Sequence, residues 1–376
     1  MNALLDSMAK IDAWRRGEPF APWEVEVYPT NRCNLRCLFC MQRVETYDYS
    51  KELPAAEWLS IIADGAALGV SAWVILGGGE PFARPSVTIP MIRAIKNQGM
   101  HGTIITNGTL FTPELIIEML DLEWDSILFS LESHVPATQD ALMAHPGAHK
   151  KIVTAIEAFA REKARRNLDR PRLVLQPTIT RLNVDHMMGL HQLSHSIGIE
   201  FLCFKSFEAF TPEARALRLD EAQKRAFLAH APKVKEWCDG VGLRTNVHQF
   251  RDRRTGCDYQ RLNERLAQLD ERIKGEYLGM LCHMPWRKMT IKADGGVEPC
   301  VGVNRGGMMN GRNLREVWLS AEFHQVRDEV FRKRMLKECA MCGYGIPVTT
   351  FEKLRYINKL ESFPELMVFD LEIVAP

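Results

Sequence analysis

Short apolar runs alternate with amphipathic stretches through the first half of the chain. Residues 24–28, 72–76, 102–106, 126–131, 173–178 and 201–204 are apolar or β-branched runs of strand length. Between them, apolar positions recur at helical spacing near residues 55–69, 86–98, 112–121, 149–166 and 184–197. Strands that alternate with helices predict a parallel sheet or barrel of the α/β class. Six strands by residue 205 fall short of the eight that close a full barrel, so a partial, open (β/α)6 barrel is expected.

The pattern then changes. Residues 219–277 read as helical and strongly charged, including the run RDRRTG at 251–256, and suggest a linker or cap. Strand-like runs at 286–291 and 296–301 flank Ala293-Asp294-Gly295, an Asp-Gly turn that predicts a hairpin. A helix with Leu314, Val317, Trp318, Phe323, Val326 and Val330 on one side follows. The expected organisation is an N-terminal extension (1–23), a barrel (24–210), a helical linker or cap (211–281), a small hairpin-plus-helix module (282–345) and a C-terminal tail (346–376). No internal repeat or low-complexity tract is present.

Charge narrows the partners. The chain has 376 residues, with 48 Lys+Arg against 47 Asp+Glu for a net charge of +1, so neither nucleic acid nor an anionic membrane is an expected partner. A 46% hydrophobic and 25% charged composition matches an ordinary globular protein. The first twenty residues lack the apolar core of a secretory signal, and no run approaches the roughly eighteen apolar residues of a membrane span. A soluble, cytoplasmic protein is expected. The basic cluster at 161–166 reads as a solvated helix face. Ten cysteines in a cytosolic chain point to metal or redox chemistry rather than disulfides.

Cys33, Cys37 and Cys40 form a C-x3-C-x2-C run, NRCNLRCLFC, at the C-terminal end of the first strand. Barrels keep their catalytic groups at that end. Three thiolates cannot saturate a 4Fe-4S cluster, so one iron would stay open to a small molecule. Zinc, held by three cysteines and a fourth ligand, is the alternative.

This stretch resembles the radical S-adenosylmethionine (SAM) enzymes. Phe39 before the third cysteine matches the family's adenine-contacting aromatic, and Gly77-Gly78-Gly79-Glu80-Pro81 after the second strand looks like its GGEP motif. The resemblance implies that these glycines let the backbone approach SAM and that Glu80 faces its ammonium group. It also places Asn107, in TNG, and Ser130 on the cofactor side, Ser130 as the ribose contact. The family's D-x-x-R contact to the SAM carboxylate is missing, because Asp140 is followed by Ala141, Leu142 and Met143.

Cys282, Cys300, Cys339 and Cys342 form C-x17-C-x38-C-x2-C, four thiolates that can close a second cluster. A zinc ribbon fits the same spacing. The segment resembles the twitch form of the SPASM extension, which implies one auxiliary 4Fe-4S cluster. Cys203, in FLCFKSF, reads as a small buried hydrophobe, with hydrogen-atom donation to a substrate radical as the sharper alternative. Cys238 and Cys257 read as incidental.

The resemblance implies reductive cleavage of SAM to a 5'-deoxyadenosyl radical, hydrogen abstraction from a substrate and transfer of an electron to the auxiliary cluster. A flavodoxin- or ferredoxin-type donor would supply the reducing electron. The expected substrate is a small sugar or aminocyclitol-like alcohol rather than a peptide. Its hydroxyl needs a base, and Arg181, Lys205, Glu132 and His134 are the candidates. The rival is radical crosslinking, epimerisation or oxidation of a ribosomal peptide or protein. Only 32 residues precede Cys33, which speaks against a built-in leader-binding domain. Porphyrin or lipid-precursor modification is a third option. A non-catalytic iron-sulfur or zinc protein is a fourth, and it would have no use for GGGEP.

Overall fold

A computed structural model describes residues 3–40, 42, 46–205, 207, 211, 213–250, 282–300 and 303–332. The helix α1 (Ala3–Arg15) leads into β1 (Glu24–Val27). The chain then alternates through α2 (Ala55–Leu68), β2 (Ala72–Ile75), α3 (Pro85–Asn97), β3 (His101–Thr106), α4 (Pro113–Asp121) and β4 (Ser126–Phe129). Two helices, α5 (Pro136–Met143) and α6 (Ala148–Arg166), precede β5 (Arg172–Leu175), followed by α7 (Met187–Ser196), β6 (Phe201–Leu202), α8 (Glu221–Val241) and β7 (Arg244–Thr245). The hairpin β8 (Lys288–Ile291) and β9 (Val297–Glu298) and the helices α9 (Leu314–Trp318) and α10 (Ala321–Phe331) complete the described chain.

All nine strands lie in one open sheet, ordered β7-β6-β5-β4-β3-β2-β1-β8-β9. Strands β1 to β7 run parallel with their neighbours, as the expected partial barrel requires. Their two faces divide by the pleat. Val25 and Val27 of β1 join the outer core with Trp58 and Ile61 of α2, while Glu26 meets Lys288 and Thr290 across β8. Leu128, Val174, Phe201 and Cys203 form a smaller apolar cluster along β4, β5 and β6.

Helix ends follow local chemistry. Thr112 caps α4, Asp220 forms a capping box with Gln223 at the start of α8, and Gly69 closes α2 at φ 98°.

Three features differ from the sequence pattern. A seventh strand, β7, follows α8 inside the region expected to be purely helical, and two residues are too few for alternation to reveal it. The helix α5 also escapes the pattern because it is one short segment, opened by Pro136. Third, the hairpin extends the barrel's own sheet. Strand β8 pairs parallel with β1, from Glu24 opposite Lys288 to Val27 opposite Ile291. The Asp-Gly hairpin itself forms as expected, with Gly295 at φ 83° and Gly296 N–H donating to Asp294 Oδ1 at 3.0 Å. No helix of the described residues is long and apolar enough to cross a membrane.

Candidate active site

The cysteine loop leaves the end of β1 and is tied down at its base. Glu52, nearly buried, accepts from Thr30 Oγ1 at 2.8 Å, Asn31 N–H at 2.7 Å and Arg32 Nε at 3.3 Å. Arg84 reaches the same carboxylate at 3.6 Å and donates to the carbonyls of Leu53 and Pro29. The glycine loop after β2 packs directly beneath. Gly79 N–H donates to Thr30 O and Glu80 N–H to Arg32 O, both at 2.8 Å. Added Cβ atoms would meet Asn31 Oδ1 at 2.1 Å from Gly78 and Arg32 O at 1.9 Å from Gly79. Two of the three glycines therefore serve the approach of the cysteine loop. Around Gly77 the nearest contact is 3.4 Å, which leaves that position open to a ligand.

Beyond the cysteines' base, Asn34 links the loop to the turn after β3. Asn107 Nδ2 donates to Asn34 Oδ1 at 2.9 Å, and Asn34 Nδ2 donates to Thr109 Oγ1 at 2.8 Å. The far end is held by Leu38 N–H on the carbonyl of Leu142 at 2.8 Å. Cys33, Cys37 and Cys40 are half-buried, and Phe39 sits among them in the same loop. The Cys37 thiol is pushed up by burial and then by Cys40 and Cys33; Cys33 is pushed up by burial, with Glu80 and Cys40 adding. The three thiols are thus close enough to act on one another electrostatically. Among the described residues no three His, Cys, Asp or Glu side chains converge closely enough for a single ion. Three thiolates on one loop are the donor set that leaves one iron of a 4Fe-4S cluster open to a small molecule.

Glu80 joins β2 to β3 more than it faces solvent. Its Oε1 accepts from Thr106 Oγ1 at 2.7 Å and Phe82 N–H at 3.2 Å, and its Oε2 accepts from Asn107 N–H at 2.7 Å. Burial pushes its carboxyl up to about 7 against those bonds. An ionised carboxylate offers about four acceptor sites, so one remains for an ammonium. Pro81 is buried behind it.

Ser130 follows β4, held through its own N–H on Thr106 O at 3.0 Å and through Gln139 Nε2 on its carbonyl at 3.3 Å. Two residues on, Glu132 is 2% exposed. Its carboxylate accepts from Thr178 N–H at 2.5 Å, and its backbone is gripped by Gln139 Oε1 and Asn183 Nδ2. Burial pushes Glu132 up to about 8, opposed by the charge of Lys205. Desolvation in turn pushes Lys205 down, opposed by Cys203, Glu26 and Glu132. Lys205 and Thr178 form a parallel bridge beyond the ends of β5 and β6.

The four base candidates therefore separate. Glu132 and Lys205 come together at the barrel mouth. The His134 ring packs against Gly189 of α7 and lies 5.4 Å from His186, whose Nδ1 is 2.7 Å from Ser133 Oγ. Arg181 is exposed and donates to Ala216 O at 3.4 Å. Sequence reasoning missed Glu52, Asn34 and Gln139, which position the two loops. Their partners are distant in sequence and no motif marks them.

In the hairpin module, Cys282 and Cys300 are half-buried against an apolar cluster of Ile11, Trp286, Val303, Val326 and Val330. Met284 N–H approaches Cys282 Sγ at 3.3 Å. Trp14 of α1 stands edge-on to Trp286 at 5.4 Å, so the N-terminal extension forms one wall of this site. Cys339 and Cys342 lie outside the described residues, as does Cys257. Cys203 and Cys238 are buried.

Comparison with known proteins agrees with this geometry. Residues 27–186 match the Radical SAM superfamily, and residues 282–343 match an iron-sulfur cluster-binding domain of the SPASM type. An AdoMet-dependent heme synthase of Methanosarcina barkeri is 24% identical over 86% of this chain and 87% of its own. A PqqA peptide cyclase of Ruegeria pomeroyi is 28% identical over 52% of this chain; the match spans 51% of the cyclase. The fold is shared with SuiB of Streptococcus suis bound to S-adenosylmethionine, at TM-score 0.65, 18% identity, and coverage of 90% of this chain and 75% of that one.

The expected small-molecule partner is corrected by these findings. Peptide cyclases recur among the sequence relatives, and SuiB has also been solved with its precursor peptide. Polar residues at a barrel mouth do not by themselves distinguish an alcohol from a peptide. The cofactors are SAM and two 4Fe-4S clusters. The chain is a radical SAM enzyme, belonging to the radical SAM superfamily and carrying a C-terminal SPASM-type iron-sulfur domain.

Proposed function

We propose that this enzyme is an oxidoreductase that modifies a ribosomally made peptide or protein, by crosslinking, epimerisation or oxidation at a carbon from which it removes hydrogen. The observation that carries the chemistry is the Glu132–Lys205 pair beside the cysteine loop. The peptide cyclases among the relatives support the substrate class.

When bound, the open iron of the first cluster and SAM supply the one-electron chemistry that removes a substrate hydrogen atom. Cys33, Cys37 and Cys40 hold that cluster, and Gly77, Glu80 and Ser130 face SAM, with Asn107 fixing the loop between them. In this reading Phe39 is the adenine-contacting aromatic. A substrate that has lost a hydrogen atom becomes a stronger acid and needs somewhere to put its proton. Glu132, held up near 8, is poised to exchange a proton near neutrality, while desolvation lowers the neighbouring Lys205 from its ordinary range.

The test uses reconstituted enzyme, SAM, a reductant and deuterated peptides encoded by short reading frames beside its gene. Deuterium in 5'-deoxyadenosine together with a peptide mass change is expected. Glu132→Gln and Lys205→Met should keep iron and SAM binding but lower product formation by about 10²-fold or more. SAM cleavage with no label from any peptide would overturn the reading. A second reading, side-chain modification of a tetrapyrrole, is favoured by the heme synthase match over 87% of that protein's length.

A further inference from the structure

The hairpin module contains a buried cation whose counter-charge is not evident. Arg327 of α10 is 1% exposed. Its guanidinium lies 4.1 Å from the Trp318 ring centroid, 4.9 Å from Phe20 and 5.2 Å from Phe323. Nε donates to Pro285 O at 3.0 Å and Nη1 to Trp318 O at 2.9 Å, while Nη2 is buried without a hydrogen-bond partner.

No carboxylate of the described residues answers this charge. The acidic neighbours on α10 are engaged elsewhere, Asp328 with Arg332 at 2.9 Å and Glu329 with Arg305 at 3.1 Å. Burial alone accounts for the lowering of the guanidinium to about 9, which still leaves it charged at neutral pH. Aromatic faces and two carbonyls relieve part of the desolvation, but an isolated buried cation remains costly without an anion.

That anion is available next door. Val326 and Val330, on either side of Arg327 in the helix, belong to the apolar cluster against which Cys282 and Cys300 pack, and Pro285 is three residues from Cys282. A cluster held by thiolates is negatively charged and becomes more so on reduction. We propose that Arg327 sets the reduction potential of the auxiliary cluster, its buried charge stabilising the reduced form. Coulomb interactions reach further in this dry interior than at a surface. The burial and charge around a cluster are recognised levers on its potential. Phe20, from the N-terminal extension, helps keep the cation dry, which gives that segment a role in the site. Arg327 is thus a tuning residue rather than a catalytic one.

The experiment is a potentiometric titration followed by electron paramagnetic resonance. It is run in the Cys33→Ala/Cys37→Ala/Cys40→Ala background, so that only the auxiliary cluster is read. Arg327→Gln should shift the reduction equilibrium about 10-fold toward the oxidised form, a potential about 59 mV more negative for one electron. Arg327→Lys should stay near the parent. An unchanged potential in the Gln variant overturns the proposal and would mean that the counter-charge lies elsewhere in the chain. Equal shifts in the Gln and Lys variants overturn it too, because packing rather than charge would be responsible. If the Gln variant does not load iron, Arg327→His gives the same reading within one protein. Its potential should fall as pH rises through the imidazole titration, and a flat profile contradicts the idea. None of these outcomes depends on the substrate.

Discussion

Gly79 lies so close beneath Arg32 that a Cβ on it would meet the Arg32 carbonyl oxygen at 1.9 Å. The obstacle is backbone, and it belongs to the residue before Cys33, so it cannot swing aside without moving the cluster ligands. Gly79→Ala should therefore empty the first iron site while sparing the second. Iron analysis should find roughly half the parent content, with four irons per remaining cluster. A full complement would show that the glycine loop does not support the cysteine loop.

Glu52 accepts a hydroxyl and a backbone bond on one oxygen and a bond from Arg32 on the other, with Arg84 in ion-pair range of that second oxygen. Glu52→Gln removes the charge but keeps the shape. Each hydrogen bond to a charged group contributes about 1.5–3 kcal/mol, so the loop should loosen. The first cluster should lose iron to a chelator faster than in the parent, with little change in far-ultraviolet circular dichroism. Equal rates of loss would remove Glu52 from the site.

Lys288 Nζ and Glu26 Oε1 are 2.6 Å apart, and both side chains are almost fully buried. They join β8 to β1, and hence the iron-sulfur module to the barrel. Lys288→Met strands the Glu26 carboxylate beside Thr290. Removing one partner of a buried pair destabilises by about 3–5 kcal/mol. Anaerobic urea unfolding should show a loss of that order, and the double change Glu26→Gln/Lys288→Met should recover part of it. A single variant as stable as the parent would contradict the coupling.

Glu24 is buried with neither carboxylate oxygen hydrogen-bonded, and desolvation pushes it up to about 8. An acid whose folded pKa is raised holds its proton more tightly in the native state. Its stabilising contribution is complete below the unfolded carboxyl range near 4 and is lost as pH rises toward 8. The stability of the apoprotein should fall across that window, with Glu24 adding about 1.4 kcal/mol per pH unit. Glu24→Gln should flatten the slope, as thermal unfolding at pH 5 and pH 8 would reveal. An unaltered slope would place the ionisation elsewhere.

The cysteine spacings and the GGGEP run made the chemistry legible, because a cluster needs thiolates at set intervals on one loop. Strand alternation made β1 to β6 of the barrel legible, while the two-residue β7, hidden behind a charged helix, was not. What escaped were relationships across long stretches of chain. Pairing of β8 with β1 joins residues more than two hundred positions apart, and nothing local announces it. Gln139, Asn34 and Glu52 look like any polar surface residue until the fold brings their partners to them. His134 stood beside Glu132 in sequence, yet its ring turns to α7, since loop residues need not keep a strand's alternation. Arg327 sits in an amphipathic helix, where a single arginine among apolar residues reads as an exposed position.

The central claim is that two independent clusters occupy the two cysteine sets. It is tested most directly by iron and sulfide analysis of anaerobically reconstituted protein beside its Cys33→Ala/Cys37→Ala/Cys40→Ala variant. About eight irons per chain falling to about four in the variant is the expected result. About four irons in the parent, accompanied by zinc, would contradict it and turn the C-terminal module into a structural knuckle.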